Sequence, residues 1–148
     1  MLNKSWTLSA DLEVPGASAD GIIPAHGGIV GGYALYLRQG KPTFVYNYLA
    51  LERTTVAATA PLPKGKVQLK VDFAYQGGPK ELGKGAVVTM TVNGTKVAEG
   101  QVPKTIPATI GIGEGMDIGE DVGSPVDFTY RPPFKFTGTI DQVTFDLK

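Results

Sequence analysis

The chain contains no cysteine, which excludes disulfides and thiolate metal centres. It has a single histidine, His26. A Ser-His-Asp triad or a zinc centre would have to be built around that one ring, with carboxylates supplying the remaining zinc ligands. Beside the flexible Gly27-Gly28 pair, His26 reads as a structural residue. Long apolar runs are missing as well: the opening MLNKSWTLSADLEV holds neither a signal-peptide core nor a membrane span. Charge of one sign is also lacking, since fourteen Lys plus Arg balance fourteen Asp plus Glu. A net charge of zero gives no electrostatic reason to expect nucleic acid or an anionic membrane as a partner. No window combines a 3.6-residue apolar period with helix caps, which argues against a helical fold.

What is present is a set of short alternating segments punctuated by glycine and proline. The length of 148 residues, 42% hydrophobic and 19% charged, suits one folded domain over residues 1–148 with a sizeable core. Trp6, Leu8, Ala10 and Leu12 alternate with polar residues, predicting a strand over Ser5 to Val14. A short strand over Gly21 to His26 is expected to break at Gly27-Gly28. Tyr33, Leu35 and Leu37 alternate with Ala34, Tyr36 and Arg38; Phe44, Tyr46 and Tyr48 alternate with Val45, Asn47 and Leu49. The Gln39-Gly40-Lys41-Pro42 turn between them makes a hairpin. Both of its faces carry apolar residues, which places it centrally in a layered protein. A further strand covers Glu52 to Ala58. In Gly65 to Tyr75, Val67, Leu69, Val71 and Phe73 face one way and Gln68, Lys70 and Asp72 the other, so a one-residue slip would bury charge. Asn93-Gly94 between alternating segments is the strongest short-range hairpin signal. Residues 103–133 read as short strands and long loops, and Phe136 to Leu147 as the closing strand. Many short strands with this punctuation predict an all-β fold, a two-sheet antiparallel jelly-roll sandwich.

The stretch GGYALYLRQGKPTFVYNYLALERTTV resembles the carboxy-terminal region of large bacterial arylsulfatases. The likeness continues through LPKGKVQLKVDFAYQGG, VNGTKVAEGQVPKTIP, DIGEDVGSPV and PFKFTGTIDQVTFDL, roughly residues 3–147. The ending FTGTIDQV is also similar to the final strand of laminin G-like and concanavalin-like lectin domains, where Gly138 would sit at a bulge or a close backbone contact. None of the serines opens a Cys/Ser-x-Pro-x-Arg sulfatase motif, so the resemblance implies a non-catalytic accessory domain and not sulfate-ester hydrolysis.

Candidate ligand residues follow from side-chain type. The aromatic set Trp6, Tyr33, Tyr36, Tyr46, Tyr48 and Tyr75 offers apolar rings to sugar C–H groups. Arg38, Asn47 and Arg53 can direct hydrogen bonds, including bidentate contact to a sulfate or carboxylate. Alternation places Tyr33 and Tyr75 in the core, whereas Tyr36 and Arg38 share the opposite face of their strand and lead this set; which face of Tyr46 and Tyr48 is outside is not fixed by alternation. Glu52-Arg53 and Asp141 fit an ion pair supporting a sheet. Asp117, Glu120 and Asp121, separated by glycine, could donate oxygens to calcium; as a solvated acidic turn the same segment would need no metal. A small glycoside hydrolase would need paired carboxylates, for which Glu114, Asp117, Glu120 and Asp121, or Asp11 and Glu13, are available. The expected partners are a carbohydrate, including a sulfated glycan, or a partner protein domain.

Overall fold

The computed structural model describes residues 2–108, 110 and 115–148. Every regular element among them is a strand: β1 (Trp6–Val14), β2 (Gly21–Gly28), β3 (Gly31–Arg38), β4 (Lys41–Tyr48), β5 (Glu52–Ala57), β6 (Gly65–Tyr75), β7 (Ala86–Val92), β8 (Thr95–Val102), β9 (Met116–Ile118), β10 (Glu120–Asp121), β11 (Phe134–Lys135) and β12 (Thr139–Leu147). They form two five-stranded antiparallel sheets, β12-β1-β6-β7-β8 and β5-β4-β3-β2-β9, and a two-stranded ribbon β10-β11. No helix of the described residues is long and apolar enough to cross a membrane.

The two sheets face each other across one core. From the first sheet, Trp6, Leu8 and Leu12 of β1 and Val67, Leu69, Val71 and Phe73 of β6 point inward; from the second come Tyr33, Leu35, Leu37, Phe44 and Tyr46. Trp6 stacks on Phe73 with ring centroids 4.8 Å apart and lies 5.1 Å from Tyr33 across the layer. The alternation in β6 therefore reads out directly, and Val67 to Phe73 are buried as expected. The β3-β4 hairpin occupies the middle of the second sheet and is apolar on both faces. Strand β2 runs on through Gly27-Gly28 rather than breaking there: Gly27 pairs with Gly32 and Gly28 with Gly31, and a Cβ on Gly32 would lie 1.9 Å from the His26 carbonyl oxygen. The glycines thus let two strands approach closely instead of ending one of them.

The outer face of the second sheet is covered by the chain itself. The strap of residues 122–133, between β10 and β11, lays Val126 and Tyr130 against Ile22, Ala25, Ala34, Tyr36 and Val45, with Phe134 packed at its end. This second, smaller core makes the second sheet a middle layer.

Pairing of β1 with β12 shifts register between Asp11 and Leu12, leaving Asp141 as the extra residue of a bulge. Close by, a Cβ on Gly138 would meet the Glu13 carbonyl oxygen at 2.4 Å. The Gly138→Ala protein is expected to lose about 2 kcal/mol or more in urea unfolding, because backbone must move. Gly16→Ala, where nothing lies within 4 Å, should change stability by less than about 0.5 kcal/mol.

Candidate functional site

The sequence candidates separate onto two sides of the second sheet. Tyr46 points into the main core, where its hydroxyl accepts from the Ile106 N–H at 2.9 Å, and Tyr48 is half-buried against the same core. Trp6 and Tyr33 are core rings. Tyr75 organises the 76–85 loop, donating to the Glu81 carbonyl at 2.8 Å and accepting from the Lys84 N–H at 3.0 Å. Tyr36, Arg38, Asn47 and Arg53 share the outer face, since Tyr36 opposes Thr43 and Arg53 opposes Asn47 in register.

On that face the strap decides what is accessible. Tyr36 is only 2% exposed. Its hydroxyl donates to the Asp127 carboxylate at 3.0 Å and lies 3.0 Å from the Thr129 hydroxyl, while its ring meets Tyr130 and Phe134 edge-on. Tyr36 therefore anchors the strap and offers no open ring for stacking. Asn47 is fully buried and joins two turns: its amide donates to the Gly28 and Ile29 carbonyls at 2.9 and 3.1 Å, and its Oδ1 accepts from the Ala50 N–H at 3.0 Å.

The two arginines keep an open side. Arg53 donates through Nε to the Val126 carbonyl at 3.0 Å and through Nη2 to the Ile29 carbonyl at 3.3 Å, and its guanidinium lies 4.3 Å from the centroid of the Phe128 ring. Phe128 is 64% exposed. Arg38 donates to the Thr129 carbonyl and lies 5.6 Å from the Phe134 ring centroid. The expected Glu52-Arg53 ion pair is not formed. Glu52 opposes Tyr48 and so lies on the other face of β5 from Arg53, and among the described residues the ion pairs involve only lysines. Each guanidinium is thus held by a ring and by backbone oxygen, with no carboxylate in ion-pair contact among the described residues and with donors left over. Phe128, Thr129 and Phe134 escaped the sequence reading because the strap has no period. The density of rings in Phe128-Thr129-Tyr130 and Phe134, inside a stretch rich in glycine and proline, was the available signal that this loop carries a core of its own.

The acidic residues named for calcium are already engaged within the protein. Asp121 is 1% exposed and accepts from the Tyr130 hydroxyl at 2.5 Å, and Asp117 accepts from the Val122 N–H at 3.2 Å. Among the described residues no group of three or more His, Asp or Glu side chains could hold a metal ion. Of the carboxylates named for a hydrolase, Asp11 and Glu13 line separate clefts, Asp11 shares its cleft with Asp141, and Glu114 lies outside the described residues. A groove of about 370 Å³ beside Pro61, Leu62 and Val97 carries neither a ring nor a charge. His26 presses the edge of its ring on Tyr33 at 5.6 Å and leaves a buried Nδ1 without a partner, and burial holds its pKa below the usual value.

No family model matches the chain, and no curated protein matches it in sequence. Solved structures do. The mouse laminin alpha1 chain, domains LG4-5, superposes with a TM-score of 0.69 at 17% identity over 100% of this chain and 38% of that chain. The Ruminococcus gnavus IT-sialidase CBM40 bound to α2,3 sialyllactose gives 0.63 at 12% identity over 99% and 79%. A heptameric SAP-like pentraxin from Limulus polyphemus gives 0.54 at 9% over 98% and 66%. The fold is therefore a laminin G-like jelly-roll sandwich.

Two measurements check the strap. Tyr36→Phe removes one donor from a buried carboxylate and should cost about 1–3 kcal/mol in urea unfolding. Burial pushes the hydroxyls of Tyr36 and Tyr46 up to about 12 and raises Tyr33 and Tyr130 as well. Unfolded tyrosines ionise near pH ~10. Their raised values contribute stability that is complete below that pH and is lost as the pH climbs through about 12. The urea midpoint should fall across this window, and an unchanged midpoint would contradict the burial of these hydroxyls.

Proposed function

We propose that this chain is a non-catalytic binding domain, akin to the accessory domain that follows the catalytic domain in arylsulfatases, and that its ligand is an acidic saccharide. The observation that carries this reading is the Arg53-Phe128 pair: an exposed ring beside a guanidinium that is ordered yet has no acid to neutralise it. A sugar can lay C–H groups on such a ring while a sulfate or carboxylate takes the remaining N–H donors in a forked contact. Holding the guanidinium in place beforehand lowers the entropy lost on binding. For the non-catalytic half of the reading, a cleft that does hold two carboxylates, Asp11 and Asp141, has no aromatic ring in its lining to seat a sugar.

A specific observation favours a second use of the same rim, contact with a partner protein domain. The β4-β5 turn has positive φ at both Leu49 (52°) and Ala50 (61°). Such turns prefer Asn-Gly, the pair this chain uses at Asn93-Gly94. Leu49 is 40% exposed and Leu51 79%, so apolar side chains stand at a strained tip where polar ones would fit the backbone better. Replacing Leu49-Ala50 by Asn-Gly is expected to raise stability by about 0.5–2 kcal/mol in thermal unfolding. No gain would remove the argument for a functional tip.

The saccharide reading is tested by screening neutral, carboxylated and sulfated glycans and titrating those that bind. Arg53→Ala should weaken binding at least tenfold, about 1.4 kcal/mol, and Arg53→Lys should recover little because an ammonium lacks the planar fork. No binding to any of these glycans at millimolar concentration would defeat it.

A further inference from the structure

We infer that the free edge of β12 pairs with β12 of a second copy of this chain, antiparallel about a two-fold axis at Phe145, so that the first sheets of two copies join into one. This interface is separate from the Arg53 rim and does not depend on the saccharide reading.

Three observations carry it. First, the edge is open. β12 ends the first sheet, and no described strand stands beyond it. The Lys148 N–H donates to the Ser5 carbonyl at 3.1 Å, so Lys148 turns its backbone toward β1. Successive residues of an antiparallel strand turn toward and away from their neighbour in alternation. Val143, Phe145 and Leu147 therefore direct their N–H and C=O groups away from β1, and such a row templates another strand. Second, the same three residues leave the core half covered. They pair with Ala10, Leu8 and Trp6 and so share the core face. The three β1 side chains are buried, whereas Val143 and Phe145 are partly buried and Leu147 is 51% exposed. The other end of this sheet is protected. A Cβ on Gly100 of β8 would meet Val56 of β5 at 2.6 Å, β8 has a register shift, and a Lys96–Glu99 ion pair lies along it. Charges and bulges are how native edges resist pairing. In β12 the bulge lies at Asp141, and Asp146 is the one charge between Gln142 and Leu147. Third, the strand complements itself. About Phe145, Val143 meets Leu147 of the second copy and Phe145 meets Phe145, which continues the core across the axis. On the outer face Thr144 meets Asp146 and Gln142 meets Lys148, so a hydroxyl donor faces a carboxylate twice and no like charges oppose. This register sets the edge-facing residues only against one another, and each such pair exchanges both N–H···O bonds.

Sedimentation equilibrium of the intact protein over a concentration series measures the association. Monomer should give way to dimer by about 0.1 mM. Thr144 is exposed, so charge placed there tests the register without entering the core. Thr144→Asp sets like charges opposite Asp146 at two symmetric places and should weaken the dimer at least about threefold. Thr144→Lys sets opposite charges there and should tighten it by about threefold. Both effects should shrink as salt is added. Leu147→Pro removes an edge-facing N–H while sparing the bonds to β1, and should abolish the dimer. Melting curves of the dilute variants establish that they fold. A monomer at every concentration overturns the inference. So does a dimer that Thr144→Asp and Leu147→Pro leave intact, because its interface then lies elsewhere. Glycan binding by Arg53 is read separately and stands or falls on its own titration.

Discussion

A sheet that is apolar on both faces must be covered on both, and the rest of this molecule is arranged around that requirement. The β3-β4 hairpin turns Tyr33, Leu35, Leu37, Phe44 and Tyr46 toward the first sheet and Ala34, Tyr36 and Val45 away from it. The first set is covered by an ordinary sandwich partner. The second is covered by an irregular strap, and an irregular segment pressed on a core brings backbone polar groups that no ladder satisfies. Side chains do that work here. The Tyr130 hydroxyl accepts from the Val126 N–H, Arg53 donates to the Val126 carbonyl, and Arg38 donates to the Thr129 carbonyl. The ordering of the two arginines thus follows from closing the second core. Each of these bonds uses part of a guanidinium and leaves other N–H donors over.

This origin explains how much could be read in advance. Strands with one wet face were legible: β6 alternates cleanly, and a register slip would have buried Lys70 and Asp72. The central position of the β3-β4 hairpin was legible from its two apolar faces. Which of those faces met the strap was not, since alternation assigns residues to sides without saying what lies on either. Tyr36 and Arg38 were correctly grouped on the outer side. Treating that side as open surface misread Tyr36, because the residues that cover it lie about ninety positions further on in a stretch without any period. Gly27-Gly28 misled for a related reason: glycine marks close backbone approach as often as it marks an end, and only the partner strand tells the two apart.

Net charge gave a true sum and an incomplete inference. A balance of fourteen against fourteen says nothing about where the charges stand. The outward residues of the first sheet include Asp11, Asp72 and Asp146, with Lys70 paired to Asp72, so that surface is mixed. On the outer face of the second sheet, Arg38, Lys41 and Arg53 stand with Asp127 buried and already engaged. Packed sheets lie about 10 Å apart, and charges in physiological salt are screened over about 8 Å. Acids on the far surface of the sandwich are more than a screening length from these cations and do little to cancel their field. The sandwich keeps the charges of its two outer surfaces apart, because a dry core lies between them.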